Sequence, residues 1–309
     1  MPRYENRSIR MKSNFKKKPE WIRTKLPQGD NYYKIKQKLS ALDLNTVCEE
    51  ANCPNIAECW GGGTATFMLL GDTCTRGCRF CNVKSGKPQR TIDELEPERV
   101  AKAVKEMQLR YVVLTSVARD DLEDGGAEHF AKTISMIKKY NPGILIECLI
   151  PDFANNIESL RIVINSGLNV LAHNVETVER LTWKVRDPRS SYTQSLEVLK
   201  NIKNINNSML TKSSIMLGLG EEDKEVIETM NDLRGEKVDM LTIGQYLQPS
   251  SLHIDLIEYT KPEKFVKFRK IGEKIGFAYV ASGPLVRSSY KAGELFVQKI
   301  MRANYTSLK

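Results

Sequence analysis

The chain is 309 residues long, with 41% hydrophobic and 28% charged residues, which excludes collagen-like, low-complexity and wholly disordered classes. No apolar run approaches the roughly eighteen residues of a membrane-spanning helix, and residues 1–30 contain no secretory h-region, so a cytoplasmic protein is expected. Of the net charge of +9, residues 1–30 contribute +6, from nine Lys and Arg against Glu5, Glu20 and Asp30.

That basic segment suits an acidic partner, protein or nucleic acid, and equally a solvated leader. As a transit peptide it is interrupted by acidic residues and by Pro19. The cysteines come next. Six of the seven fall between Cys48 and Cys81, spaced C-x4-C-x5-C (Cys48, Cys53, Cys59) and then C-x3-C-x2-C (Cys74, Cys78, Cys81). A disulfide framework suits small secreted domains, and tetrahedral zinc favours paired short knuckles, so two triplets fit neither well. Iron–sulfur clusters are held by thiolates at short spacings, and a triplet leaves one iron of a four-iron cluster open. Cys148, alone in an apolar run, reads as a small buried hydrophobe.

Residues 64–70 (TATFMLL) read as a buried strand, which places the second triplet in the loop at its C-terminal end, where α/β folds build active sites. Phe80 stands ready there to shield one face of a cluster or simply to pack. Further strands are predicted at 111–117, 143–150, 169–174, 213–219, 240–245 and 277–281, with helices between them. One helix begins near Pro97 and aligns Val100, Ala103, Val104 and Met107; another follows Lys261-Pro262 and aligns Phe265, Phe268, Ile271 and Ile275. A third spans 127–139 and carries His129, expected on the surface. His173 and His253 are expected to pack or hydrogen-bond. The alternation argues for an α/β fold with a mostly parallel sheet. There is no P-loop and no G-x-G-x-x-G, hence no support for nucleotide hydrolysis or dinucleotide binding, and no basic motif supports nucleic-acid recognition.

The segment GDTCTRGCRFC (71–81) resembles the cluster loop of the radical S-adenosylmethionine enzymes. TVCEEANCPNIAECW (46–60) and Arg287-Ser288-Ser289-Tyr290 resemble the auxiliary-cluster motif and the C-terminal R-S-S-Y of one family among them, the lipoyl synthases. Lys18-Pro19-Glu20-Trp21, TSVARDDLEDGG (115–126), HNVET (173–177) and TIGQYLQPS (242–250) extend the likeness, which fades in residues 1–15 and after about Lys291. Biotin synthases lack the first triplet, tRNA methylthiotransferases add a domain for which no residues remain, and a simple electron carrier would complete each triplet with a further cysteine.

The resemblance implies a partial (β/α)6 TIM-type barrel at 63–282, an N-terminal extension (1–62) carrying the first triplet, and a C-terminal extension (283–309) carrying R-S-S-Y. It implies two [4Fe-4S] clusters and S-adenosylmethionine. Cys74, Cys78 and Cys81 would hold the radical cluster, which yields the 5′-deoxyadenosyl radical. Cys48, Cys53, Cys59 and Ser289 would hold an auxiliary cluster, sacrificed as the source of two sulfur atoms for C6 and C8 of a protein-bound octanoyl-lysine. Read alone, Ser288 and Ser289 would form a turn after Gly283-Pro284. Candidate contacts to S-adenosylmethionine are Ser116, Gly125, Gly126, Asn174, Glu176 and Arg186, with a glycine turn, a helix cap and an exposed ion pair as the plainer roles of Gly125-Gly126, Glu176 and Arg186. Implied partners are an octanoylated lipoyl domain or glycine-cleavage H protein and a ferredoxin or flavodoxin reductant, with no nucleic acid and no membrane. Reconstituted wild type should hold about eight iron atoms by Mössbauer and iron–sulfide analysis, and the Cys74/Cys78/Cys81 triple alanine variant about four.

Overall fold

A computed structural model describes residues 17–23, 30–42, 44–50, 55–61, 64–89, 91–289 and 297. Ten strands occur among them: β1 (Asn45–Thr46), β2 (Thr64–Leu69), β3 (Thr73–Cys74), β4 (Lys84–Ser85), β5 (Tyr111–Ser116), β6 (Leu145–Leu149), β7 (Val170–Ala172), β8 (Leu210–Leu217), β9 (Met240–Gln245) and β10 (Tyr279–Gly283). Eight form one sheet in the order β1-β2-β5-β6-β7-β8-β9-β10. All its pairs are parallel except β1–β2. Seven parallel strands in chain order, joined through helices, are six β/α repeats that end on a seventh strand; β2 and β10 do not pair, so the barrel is partial.

Strand periodicity sorts the side chains. Phe67, Leu69, Leu114, Ile146 and Leu171 face the helices and belong to the main core. Their neighbours Thr66, Met68, Thr115, Ser214, Met216 and Gly244 line an interior cavity. The helices bury the stripes the sequence predicts. Glu96–Glu106 opens on Pro97 and buries Val100, Ala103 and Val104; Pro262–Ile275 buries Phe265 and Phe268 and ends at Gly276, whose φ of 104° closes it in a left-handed cap. Cys148 is wholly buried in β6.

Two findings depart from the sequence reading. His129 is not on the surface: it is 3% exposed. Its Nε2 lies 2.6 Å from the Glu96 carboxylate, which also accepts the Leu70 amide at 3.0 Å. This buried latch holds the end of β2, where the cysteine loop departs. Secondly, β8 starts at Leu210 rather than at 213. Lys212 interrupts the apolar pattern, yet it is 2% exposed, because its ammonium meets both Glu147 oxygens at 2.7 and 3.0 Å. The Tyr111 hydroxyl donates to the same carboxylate at 2.6 Å. Beside this triad Tyr111, Val113, Val170 and Met240 form a second apolar cluster, joined by Val297 from the far end of the chain.

Breaking a buried pair by removing one partner leaves an uncompensated charge. Lys212→Met should therefore cost about 3–5 kcal/mol in denaturant unfolding, with much of it recovered in Lys212→Met/Glu147→Leu.

Candidate active site

After β2 the chain turns through two left-handed residues, Leu70 (φ 67°) and Gly71 (φ 92°), and enters the cysteine loop. The loop has little apolar surface with which to anchor itself. Its anchor is Arg76, 7% exposed. Its guanidinium reaches Asp120 at 2.7 Å, Asp152 at 2.7 Å and Ser190 at 2.9 Å, tying the loop to the ends of three successive β/α units. The adjacent Gly77 amide donates to Asp187 at 2.7 Å, and Arg189 holds that carboxyl well below the ordinary range. The polar clamp takes the place of a hydrophobic one.

Backbone amides point at the thiols. The Cys74 sulfur accepts from Arg76 and Ala118 at 3.4 and 3.3 Å, and the Cys78 sulfur from Asp187 at 3.3 Å. Burial pushes the Cys81 thiol up to about 12 and raises that of Cys78, so neither ionises at neutral pH without a metal to take the thiolate. No described group of three or more His, Cys, Asp or Glu side chains could hold a single ion. Neighbouring thiols at short spacings, with N–H groups offered to Cys74 and Cys78, are residues that could hold an iron–sulfur cluster.

The thiols open into a cavity of about 540 Å³, the size of a small-molecule site. Ser116, Asn174, Glu176 and Arg186 line it, as do Cys59, Ser288 and Ser289. Three of these bring buried atoms with no partner among the described residues: Ser116 Oγ, Asn174 Oδ1 and Arg186 Nε. Buried polar groups are ordinarily satisfied, so this hydroxyl, acceptor and donor are available to a polar ligand, and their chemistry fits the ammonium, carboxylate and ribose of S-adenosylmethionine. Glu176 stands among them in a left-handed conformation (φ 67°), its carboxyl raised by burial and lowered by Arg186 and Asn174.

Arg186 is aimed by a relay. Its Nη1 donates to Ser195 Oγ at 2.6 Å, and Ser195 lies 3.1 Å from His173 Nε2. His173 Nδ1 donates to the Ile150 carbonyl at 3.0 Å, which fixes the tautomer. His253 hydrogen-bonds the Cys81 carbonyl at 3.1 Å and Ser250 at 2.8 Å. Gly125 and Gly126 do not line the cavity; both have positive φ, and side chains there would strike Phe153 and Leu70.

Residues from before β2 and after β10 reach the same cavity. Asn55, between the second and third cysteines of the first triplet, donates to the Leu285 carbonyl at 2.5 Å. Val286 crosses β9 so closely that a Cβ on Gly244 would lie 2.1 Å from its carbonyl oxygen, and Arg287 donates to the Gln245 carbonyl at 3.2 Å. Cys48 lies in the helix Val47–Glu50, while Cys53 and Tyr290 fall outside the described residues. Arg76, Asp152, Asp187, Asn55 and Gly244 were not singled out from the sequence. Asp187 adjoins the candidate Arg186, and Asp120 lies in the quoted 115–126 motif, but their pairing with residues 44 to 110 positions away carries no local signal.

A family model of the radical SAM superfamily matches residues 68–233, and one of the N-terminal domain of lipoyl synthase matches residues 1–53. The chloroplastic lipoyl synthase of Ricinus communis is 57% identical over 93% of this chain and 80% of its own length. The chain belongs to the lipoyl synthase family. The mitochondrial lipoyl synthase of Homo sapiens is 54% identical over 98% of this chain and 83% of its own. The family's members are radical S-adenosylmethionine enzymes that insert sulfur, with a [4Fe-4S] cluster and S-adenosylmethionine as cofactors, and a second cluster is consistent with the family. The fold agrees with solved structures of the FeFe-hydrogenase maturase HydG from Carboxydothermus hydrogenoformans (TM-score 0.54, 16% identity, 87% of this chain and 78% of that one) and of methylornithine synthase (TM-score 0.53, 13% identity, 81% and 82%). The N-terminal match begins at residue 1, so the family likeness does not fade in residues 1–15. The two lipoyl synthases are organellar by name, which lends no support to a cytoplasmic site. No described helix is long and apolar enough to cross a membrane.

Burial, then the charge of Arg186, lowers His173 to about 4. The unfolded chain protonates it near 6.5 while the folded chain resists, so this stability is complete above pH 6.5 and falls between 6.5 and 4, by about 3 kcal/mol. Denaturant melts across that window should show the loss, reduced in His173→Asn.

Proposed function

We propose that this chain acts on octanoyl-lysine of a carrier protein, inserting sulfur at C6 and C8 with sulfur drawn from an auxiliary cluster. The observation that carries this reading is a single cavity shared by Cys74, Cys78 and Cys81 with Cys59 and Ser289. Cys74, Cys78 and Cys81 hold the radical cluster. Cys48, Cys53 and Cys59, with Ser289 as fourth ligand, hold the auxiliary one. A serine oxygen is a harder, weaker partner for iron than thiolate, which suits a corner that must be given up. When bound and reduced, the radical cluster supplies the electron that cleaves S-adenosylmethionine.

The chain's own residues do the rest. Arg186, held by Ser195, binds the methionine carboxylate, and Asn174 and Glu176 take the ammonium or a ribose hydroxyl, with Ser116 beside them. Gly125 and Gly126 contribute by letting their loop pack against Leu70 and Phe153. Val47, Met68, Phe80, Leu149, Met216 and Val286 give the cavity apolar walls for an octanoyl chain and exclude water from it. Residues 1–62 and 283–309 act as flanking extensions of a catalytic barrel at 63–282. The carrier is an octanoylated lipoyl domain or H protein, and the electron donor a ferredoxin or flavodoxin. Residence in the cytoplasm is the reading taken from the lack of a secretory h-region together with the interrupted basic segment, and fractionation against organelle markers tests it.

Anaerobic assays with an octanoylated lipoyl domain, reading 5′-deoxyadenosine and the acyl product by mass spectrometry, separate the two triplets. Cys78→Ala should abolish 5′-deoxyadenosine. Cys53→Ala should keep part of it and insert no sulfur. Equal loss of both activities in Cys53→Ala, with the first cluster intact, would contradict the division of roles.

A further inference from the structure

Residues 73–92 contain Arg76, Arg79, Lys84, Lys87 and Arg90 and no Asp or Glu. Arg76 is buried in the clamp, whereas Arg79, Lys84 and Lys87 are exposed. Arg79 stands between Cys78 and Cys81. Its amide donates to the Val185 carbonyl at 2.9 Å and its carbonyl accepts from the Ile254 amide at 2.9 Å. Its guanidinium reaches the Lys184 carbonyl at 3.4 Å. The helix Glu179–Val185 and the turn at 250–254 therefore flank the cysteine loop on its outer side.

Each flank presents a large side chain that the core does not use. Trp183 is 74% exposed and Leu252 is 91% exposed. Ile257, also exposed, lies beside Gly220, whose carbonyl accepts from Arg180 one turn before Trp183. Scattered exposed hydrophobics are ordinary, but a tryptophan and two aliphatics around a functional loop, with cations beside them, mark an interaction surface. Carboxylates lie at its margin as well: Asp255 accepts from Gln248, Glu179 occupies the opposite end of the short helix from Lys184, Glu225 pairs with Arg180 at 2.6 Å, and Glu258 follows Ile257 in the chain and pairs with Lys264.

We propose that this surface, with Trp183 and Leu252 on either side of the cysteine loop and Arg79 and Lys184 beside them, docks an acidic one-electron protein reductant of the ferredoxin type. The inference rests on the reading that Cys74, Cys78 and Cys81 hold a cluster. One electron leaves the donor and enters that cluster; no bond or proton moves. Charge complementarity steers such encounters, and a small apolar centre suits a transient complex. The carrier is the poorer occupant, because its acyl arm must reach Met68 and Met216 on the barrel strands, while this patch overlies the backbone of the loop.

The test uses the holoenzyme and a [2Fe–2S] ferredoxin. Calorimetric titration reads the affinity of the complex, and 5′-deoxyadenosine formation is followed with reduced ferredoxin and, separately, with dithionite. Lys184→Glu and the pair Trp183→Ala/Leu252→Ser should each weaken ferredoxin binding about tenfold, with a flatter salt dependence in Lys184→Glu, and leave the dithionite-driven rate unchanged. Wild-type ferredoxin affinity in both variants overturns the proposal. So does an equal fall with both electron sources, or a raised KM for the octanoylated carrier at unaltered ferredoxin affinity. Wild type that forms no 5′-deoxyadenosine with dithionite defeats the cluster reading instead, while the titration still reports on the surface.

Discussion

The site depends on one buried guanidinium. A loop that carries three cysteines and must leave them open to a cavity packs only partly buried side chains such as Phe80 and Val83 on the core, so much of its position comes from polar contacts. Arg76 supplies them by binding carboxylates that end two different β/α units, Asp120 and Asp152. Both acids are held below their usual range by Arg76 despite burial, so the clamp is charged at neutral pH. The geometry of the thiols is thus tied to that of the barrel rim, with Arg76 as the most buried tie and Asp187 and His253 adding to it.

A second constraint joins the ends of the chain. Gly244 has no side chain, which lets Val286 lie directly on β9, and Asn55 holds Leu285 from the other side. Residues from before β2 and after β10 thus meet, and Val297 packs with Tyr111, Val113, Val170 and Met240. Through that closure Cys59 and the serines after Arg287 line the same cavity as Cys74, Cys78 and Cys81.

Much of this was legible from local pattern. Strand and helix positions followed from apolar periodicity, and the cysteine spacings singled out both triplets. What was hidden is polar and long-range. Lys212 broke the pattern of β8 because its partner Glu147 lies 65 residues away, and His129 read as a surface residue because Glu96 is 33 residues away. Gly125 and Gly126 were legible as special backbone positions but not as packing partners of Phe153 and Leu70. A buried charge or a close glycine contact is defined by what lies opposite, and that is a property of the fold.

The Asn55–Leu285 bond spans 230 residues, and this has a consequence during synthesis. At ribosomal speeds, roughly ten to fifty seconds separate the emergence of those two residues. The parallel strands lie in the sheet in chain order, each pairing with the one before it, so every strand finds its neighbour already made when it emerges. The cysteines are among the first residues made, and the segment that completes their enclosure is among the last. They wait in a half-built, open vessel until the final strand and the stretch beyond it arrive.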